Sequence, residues 1–518
     1  AKGGAGVNYA SGGGGRIAVY YDTMTMSQNN VAATGGTTGK AGGSGTIYYR
    51  VKSQNVGDIV VDNGGIKSSL TAFAATTNEN IEIRNSAVTL SAGAYGKITL
   101  KNSTATPDGP ITVDTLSLQS GSIITGKATG LTGLEKLALN VTTLTIDSTS
   151  KIDVSGKGYL GAGQGGNDVY TGRTVGNTTS GGSSSTNGGS YGGLGGVYNS
   201  SYTVNAVYGD PTDPNDVGSG GGAPNSNYNG GNGGGLIRLT AGTLQVDGSI
   251  VADGTSSTSG NGGAGGSGGG IRLDVGTLSG SGTISAKGGA GVNYASGGGG
   301  RIAVYYDTLN LPQANFNASG GSAGKSSGPG SIYLKQNSTG SIGHLLIDNR
   351  GIDTGTSLTP LPGIDKGYVL AVTATTLKNS VAVWQPGAFK GWKFNPNLAQ
   401  ERLFTVVSNT SDTITIDPAE GDLTQVAAVG SSFAGVLPVE KLTITGKARI
   451  WSPGRLSIGN EAIIDGASLN LANNDIVGNT VTLKNGGLLS HFGATTGATW
   501  KLALNVTTLT IDSTSKID

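Results

Sequence analysis

The sequence predicts an all-β protein built as a parallel β-helix (β-solenoid), with glycine-rich arcs beside it and one inserted small β-sandwich or barrel module. Three observations lead to this fold class: long internal repeats, short runs in which apolar and polar residues alternate, and an unusual composition. Glycine supplies 95 of the 518 residues and hydrophobic residues supply 35%, below the roughly 45–50% of ordinary globular domains. A single hydrophobic core stops growing at about 250–300 residues, so several domains or a solenoid are expected.

The long repeat is read directly from the sequence. AKGGAGVNYASGGGGRIAVYYDT at 1–23 recurs unchanged at 286–308, and KLALNVTTLTIDSTSKID at 136–153 recurs unchanged at 501–518. The first pair is offset by 285 residues and the second by 365, so the second copy contains an insertion, which we place at 354–438. Because both ends of the sequence fall inside repeated sequence, we expect the chain to be part of a longer tandem array.

These boundaries divide the chain into five segments. Two copies of a β-solenoid repeat are interrupted first by a glycine-rich segment and then by the inserted β module. In chain order the predicted segments are a solenoid repeat at 1–153, the glycine-rich segment at 154–235, a solenoid repeat at 236–353, the inserted module at 354–438, and a solenoid repeat at 439–518.

A smaller repeat lies inside the larger one. Units such as GGGLIRLTAGTLQVDGSIVADG and GGGIRLDVGTLSGSGTISAKGG begin at Gly233 and Gly268, and their period-two alternation with many Thr, Val and Ile residues favours strands. Short strands that recur about every 30 residues suit a coil in which each turn adds one rung about 4.8 Å above the last. An antiparallel meander is the alternative. Tyrosines spaced by 28 residues predict ladders between rungs, at Tyr20 with Tyr48, Tyr21 with Tyr49, and Tyr305 with Tyr333.

The glycine-rich segment at 154–235 contains GYLGAGQGG, GGSSSTNGGSYGGLGG and NSNYNGGNGGG. Composition alone would predict that this segment is disordered. Glycine, however, allows backbones to approach closely and to adopt positive φ. We therefore expect extended arcs that pack beside the solenoid.

Aromatic residues are concentrated in the inserted module, in a chain that is otherwise poor in them. Its runs at 403–408 and 413–416 predict a hairpin, and the aromatic side chains are sufficient for a small core of its own. Trp384 and Trp392 are also candidates for stacking on sugar rings. The aromatic set is Tyr368, Trp384, Phe389, Trp392, Phe394, Phe404 and Phe433.

One segment could hold a metal ion. YGDPTDPNDVG places Asp210, Asp213 and Asp216 three residues apart, and oxygen ligands in a tight turn could bind calcium. In an extended polyproline-like conformation successive carboxylates would instead lie about 9 Å apart, and the Asp-x-Asp-x-Asp-Gly spacing of calcium loops is missing. A solvated turn without any cofactor is therefore the alternative.

Other chemistry finds little support in the sequence. His344 and His491 lie in no metal-binding motif, and Asp147 and Asp153 read as turn residues. The glycine runs lack the strand, helix and Gly-Lys-Ser/Thr end of phosphate loops. With 33 basic and 32 acidic residues and no cysteine, we expect no nucleic-acid partner and no disulfide. No apolar run reaches the roughly 20 residues of a membrane helix.

At GGGLIRLTAGTLQVDG, GGAGGSGGGIRLDVGTLSGSGTISAKGG and SGGGGRIAVYY the chain resembles giant glycine-rich tandem-repeat surface proteins of bacteria, similar in style to filamentous-haemagglutinin-type adhesins. The resemblance implies an extracellular or cell-surface location and adhesive or filament-forming roles. We expect a non-enzymatic structural protein that associates with itself or with further repeats. The alternatives are an adhesin that binds glycans or surfaces through its repeats and module and, third, a β-helix polysaccharide lyase or hydrolase.

Overall fold

The computed structural model describes residues 1–6, 9–65, 71–73, 79–257, 262–379, 384, 386–472, 475–493 and 502–518. Strands account for 42% of these residues and helical turns for 3%. The predicted all-β class is therefore confirmed. None of the helical turns in these ranges is long and apolar enough to span a membrane.

Long and short strands alternate through the first repeat. The long ones carry period-two patterns of buried Val, Ile and Leu, as in residues 136–146, where Leu137, Leu139 and Val141 are buried. In chain order the strands are β1 (Arg16–Tyr21), β2 (Thr46–Val51), β3 (Asp58–Asp62), β4 (Thr71–Phe73), β5 (Asn80–Arg84), β6 (Ala87–Leu90), β7 (Gly93–Lys101), β8 (Thr104–Pro107), β9 (Ile111–Gln119), β10 (Ile123–Ile124), β11 (Lys136–Ile146) and β12 (Lys151–Asp153).

The second repeat and the insert follow after residues 154–235, which contribute no strand among those assigned. The next strands are β13 (Leu236–Val246), β14 (Ser249–Val251), β15 (Gly270–Ser279), β16 (Thr283–Ser285), β17 (Arg301–Leu309), β18 (Phe316–Asn317), β19 (Ser331–Gln336), β20 (His344–Asp348), β21 (Thr359–Pro360), β22 (Gly367–Val372), β23 (Thr376–Asn379), β24 (Lys393–Asn395), β25 (Phe404–Asn409), β26 (Thr413–Ile416) and β27 (Ser432–Thr445).

The final strands complete the second repeat. They are β28 (Arg449–Ser452), β29 (Arg455–Asp465), β30 (Ser468–Leu471), β31 (Asp475–Lys484), β32 (Leu488–His491), β33 (Ala503–Ile511) and β34 (Lys516–Ile517). Short 3-10 turns occur at Gln28–Asn30, Gln313–Asn315, Asn337–Thr339, Pro418–Glu420 and Leu423–Gln425.

One long sheet runs through the molecule. Its spatial order is β1, β2, β3, β5, β7, β9, β11, β13, β15, β17, β19, β20, β27, β29, β31 and β33. Neighbours in this order are parallel except at β2 with β3 and at β19 with β20, which are antiparallel. These two joints lie at equivalent places in the repeats. Their connections, residues 52–57 and 337–343, are too short for a parallel crossover and make hairpins.

The short strands form two further parallel sheets. One has the order β4, β6, β8, β10, β12, β14, β16 and β18, and the other has the order β21, β28, β30, β32 and β34. Most strands of the long sheet are thus followed in the chain by one short strand of a second sheet, and β1, β2 and β19 are the exceptions among the assigned strands. Between the sheets lies an apolar core, which includes Ile98, Leu116, Leu144, Leu244 and Leu278, all with no exposed surface.

The register corrects the predicted tyrosine ladders. Tyr20 pairs with Arg50, so this rung is 30 residues long and not 28. Tyr20 and Tyr48 still contact each other across the diagonal of the sheet, with ring centres 5.7 Å apart, because side chains two positions apart share a face. Tyr305 likewise pairs with Lys335, and its ring centre lies 5.9 Å from that of Tyr333.

Residues 154–235 are held by backbone hydrogen bonds between glycine-rich arcs. Gly298 N donates to Gly189 O at 2.9 Å and Gly193 N donates to Gly299 O at 2.7 Å, so the arc at 188–196 packs on the second repeat. A Cβ added at Gly298 would lie 2.0 Å from the carbonyl oxygen of Gly193. Glycine is required here because two backbones are in direct contact.

The insert is a closed antiparallel arrangement. β22, β23, β26, β25, β24 and β27 pair in that order, and β27 also pairs with β22. The predicted hairpin is present as β25 and β26. β27 starts in the insert and continues into the long sheet, across the predicted boundary at residue 438, while β21 pairs with β28 outside the insert. The core contains Phe394, Phe404 and Phe433 with no exposed surface, whereas Tyr368 is exposed.

Candidate functional site at the insert junction

Residues 208–217, called here the junction loop, make hydrogen bonds both with the long sheet and with the insert. On the rung side, the Arg301 guanidinium donates to Tyr208 O from Nε at 2.9 Å and from Nη2 at 2.7 Å. On the insert side, Trp392 Nε1 donates to Gly209 O at 2.9 Å. The junction loop is therefore held in place by one side chain from the long sheet and one from the insert.

The three predicted calcium ligands lie in this loop but bind different partners. Asp213 accepts from Arg238 Nη1 at 2.8 Å and from Arg272 Nη1 at 2.7 Å. Asp210 accepts from the backbone N of Thr212 at 2.7 Å and from its hydroxyl at 2.8 Å. Among the residues that the structure describes, no three His, Cys, Asp or Glu side chains are arranged to hold a metal ion. The calcium interpretation of Asp210, Asp213 and Asp216 is therefore not supported.

Burial changes the acidity of two of these carboxyls. Asp216 accepts from the Tyr159 hydroxyl at 2.8 Å and from Val217 N at 2.9 Å, yet its burial raises its pKa to about 6. Burial also raises the pKa of Asp210, against the opposing effect of the Thr212 hydrogen bonds. Removing a carboxylate from water penalises its charged form.

Arg301 was not anticipated from the sequence. Its side chain is fully buried, donates to Ser331 Oγ at 3.1 Å and lies 5.5 Å from the ring centre of Tyr191. Burial lowers its pKa. Arg16 occupies the same place in the identical first copy and is exposed. The two arginines differ in their surroundings, because β17 is paired on both sides and lies against the junction loop, whereas β1 is paired with β2 alone among the assigned strands. The repeated sequence therefore carried no signal for this role.

The two predicted sugar-binding tryptophans pack inside the insert. Trp392 is 8% exposed, and its ring centre lies 5.0 Å from that of Phe389. Trp384 is partly buried against the insert core, with ring centres 5.4 Å from Phe389 and 6.3 Å from Phe433. Both residues therefore contribute to the core, and Trp392 also holds the junction loop.

Two cavities flank the junction loop. The first, called here the junction cleft, has a volume of about 240 Å³, and the second has a volume of about 320 Å³. Asp210 and Gly391 line both. The remaining residues of the junction cleft are Pro211, Thr212, Tyr305, Tyr333, Lys335, Ile342, Pro362, Gly363, Trp392, Lys393, Val436, Leu437 and Pro438.

The floor of the junction cleft is held by two tyrosines of the long sheet. The Tyr305 hydroxyl donates to Thr212 O at 2.9 Å, and the Tyr333 hydroxyl donates to Ile342 O at 2.7 Å. The guanidinium carbon of Arg272 lies 4.5 Å from the centre of the Tyr305 ring, and the amine of Lys335 lies 5.8 Å from it. These contacts hold the two tyrosine rings in fixed positions.

The remaining predicted residues are apart from the junction. His344 Nε2 lies 2.9 Å from Thr443 Oγ1, and burial lowers its pKa to about 4. His491 Nδ1 lies 2.7 Å from Phe492 O. Asp147 accepts from Ser120 N at 2.7 Å, and Asp153 contacts the Lys151 amine at 2.6 Å.

No protein-family model, curated protein or solved structure matches this chain.

Proposed function

We propose that this chain is part of a structural repeat protein that forms an extracellular or cell-surface fibre, in which the rungs coil as a β-solenoid and the insert projects from its side. The observation that carries the proposal is the continuous long sheet from β1 to β33. With strands about 4.8 Å apart, its sixteen strands span roughly 70 Å. A molecule that adds length with each rung is suited to a fibre.

The repeated sequences support the view that rungs are interchangeable units. The sequence shared by 136–153 and 501–518 forms β11, which lies between β9 and β13, and also forms β33, which pairs with β31. Leu144 in the first has no exposed surface, whereas Leu509 at the same place in the second is 41% exposed. Burial of this unit therefore depends on its neighbours in the stack and not on its own sequence.

Charged side chains in the stack pair with each other between rungs. The Lys52 amine lies 2.8 Å from Asp22, the Lys101 amine lies 2.6 Å from Glu82, and the Lys441 amine lies 3.0 Å from Glu461. The partners in each pair belong to neighbouring rungs. Such pairs favour the correct register, which is a structural use of charge.

The proposal is tested by locating the protein on the cells that make it. Antibodies raised against the insert are applied to intact cells, with a gold label and electron microscopy. Fibres outside the cell that carry label at intervals are expected. An antibody against an internal protein serves as the control for cell integrity. Label that appears only after permeabilisation, or only on separate compact particles, would contradict the proposal.

A further inference from the structure

The junction cleft is preformed and is made by parts of the chain that are far apart in sequence. The junction loop, the long sheet and the insert each supply a wall. Trp392 fixes the loop to the insert, and Tyr305 fixes it to the sheet. A cavity whose walls are already held by hydrogen bonds binds a ligand without a large ordering cost.

One wall presents an amine without an acidic partner. Lys335 is half-buried on β19, and within the described residues no carboxylate oxygen lies within 4 Å of its Nζ atom. Lys393 differs, because its amine lies 3.1 Å from Glu420 and also contacts the Thr405 hydroxyl. The positive charge of Lys335 is therefore the one available to an anionic group in the cleft.

The carboxyl group of Asp210 is suited to hydrogen bonds with the hydroxyl groups of a ligand. Asp210 receives its hydrogen bonds from Thr212 at one carboxyl oxygen, Oδ1. Its second oxygen, Oδ2, lies beside Gly391, where an added Cβ would be only 2.5 Å away. A larger residue at Gly391 would close this approach. A carboxyl in such a place accepts or, when protonated, donates a hydrogen bond.

The rest of the lining is apolar and the volume is small. Trp392, Tyr333, Pro362 and Pro438 supply flat apolar surfaces, of the kind that packs on the C–H face of a sugar ring. The volume of about 240 Å³ is below the roughly 300–1,000 Å³ of pockets that take drug-sized ligands. One ring fits this volume better than a chain of rings.

From this arrangement we propose that the junction cleft binds a single unit of an acidic saccharide, with the sugar carboxylate at Lys335, ring hydroxyls at Asp210 and the ring between the apolar walls. This binding function goes beyond the structural role and does not depend on fibre formation. It also differs from sugar stacking on exposed tryptophans, because Trp392 contributes a wall and not an open platform.

The test is calorimetric titration of the whole chain with methyl glycosides of galacturonic and glucuronic acid, and of galactose and glucose as neutral counterparts. The uronides are expected to bind and the neutral sugars to bind at least about tenfold more weakly, because a hydrogen bond to a charged group is lost. Lys335→Met should weaken uronide binding by a similar factor, since it keeps an unbranched side chain of nearly the same length without its charge. Lys97→Met is the matched control, because Lys97 is an exposed lysine on β7 of the same sheet.

A second variant separates loss of binding from loss of folding. Ile342→Trp places a large ring at an exposed residue of the cleft lining and should abolish uronide binding while circular dichroism and thermal unfolding remain those of the unmodified protein. Uronide binding that is equal in Lys335→Met and in the unmodified protein overturns the proposal. So does the failure of every glycoside to bind the folded chain, or binding of inorganic phosphate in place of the uronides.

Discussion

Replacement of Gly298 by alanine tests the packing of the glycine-rich arcs on the second repeat. Gly298 is buried, and an added Cβ would lie 2.0 Å from the carbonyl oxygen of Gly193, a contact that cannot be kept. The sequence supplies its own control, because Gly13 occupies the same place in the identical first copy. There the added Cβ would meet only Gly43 O, at 3.7 Å, which is an ordinary contact.

The size of the effect follows from what must move. Overpacking costs about 1–3 kcal/mol. If the arc lifts away, the hydrogen bonds of Gly298 N to Gly189 O and of Gly193 N to Gly299 O are also lost, at about 0.5–1.5 kcal/mol each. We expect a total of about 2–6 kcal/mol, which raises the local opening equilibrium by at least roughly 30-fold. The reduced chain entropy of alanine in the unfolded state applies equally to both variants.

Hydrogen–deuterium exchange with peptide mass spectrometry measures this opening locally, segment by segment. In Gly298→Ala, peptides that cover 188–196 should exchange much faster than in the unmodified protein. In Gly13→Ala they should be unchanged. Equal exchange of this segment in the two variants would refute the packing of the arcs on the second repeat.

Three further predictions concern the stack and the junction. Leu144→Ala should cost about 2–5 kcal/mol and Leu509→Ala clearly less, because their exposed fractions are 0% and 41%; similar losses in denaturant unfolding would contradict stacked burial. The folded state holds the proton of Asp216 more tightly, since burial raises its pKa to about 6; stability from this group therefore falls as pH rises from about 4 to about 6. Asp216→Asn should remove that slope and add at most about 3 kcal/mol at pH 7, and an unchanged slope in unfolding midpoints would be the contrary result. Trp392→Phe leaves Gly209 O without its 2.9 Å donor and should destabilise the junction by about 1–3 kcal/mol, seen as faster proteolysis of the loop; unchanged cleavage would argue against this contact.

The sequence predicted the features that depend on local patterns. Period-two alternation indicated the strands, as in β11, and the aromatic residues of the insert indicated its core around Phe404 and Phe433. The two antiparallel joints were not predicted, because strand direction depends on how a connection closes and not on the strand residues. For Trp384 and Trp392 the sequence left core packing and sugar stacking as alternatives, since spacing does not tell a core face from an open one.

The side-chain contacts of the junction loop could not be predicted from the repeated sequences. Arg16 and Arg301 have identical neighbours in sequence, and only the second is buried beneath the junction loop. Asp213 was considered as a metal ligand because of its spacing from Asp210 and Asp216. Its arginine partners, Arg238 and Arg272, lie on two later strands and could not be inferred from that spacing. Contacts between segments so distant in the chain depend on how all the strands pack together. Local sequence patterns do not show this arrangement.

The proposed fibre-forming arrangement of the strands is tested most directly by cryo-electron microscopy of the native protein. We expect an elongated body with a continuous ladder of strands about 4.8 Å apart along its axis and with the insert projecting from one side. Separate compact domains without such a continuous ladder would contradict it.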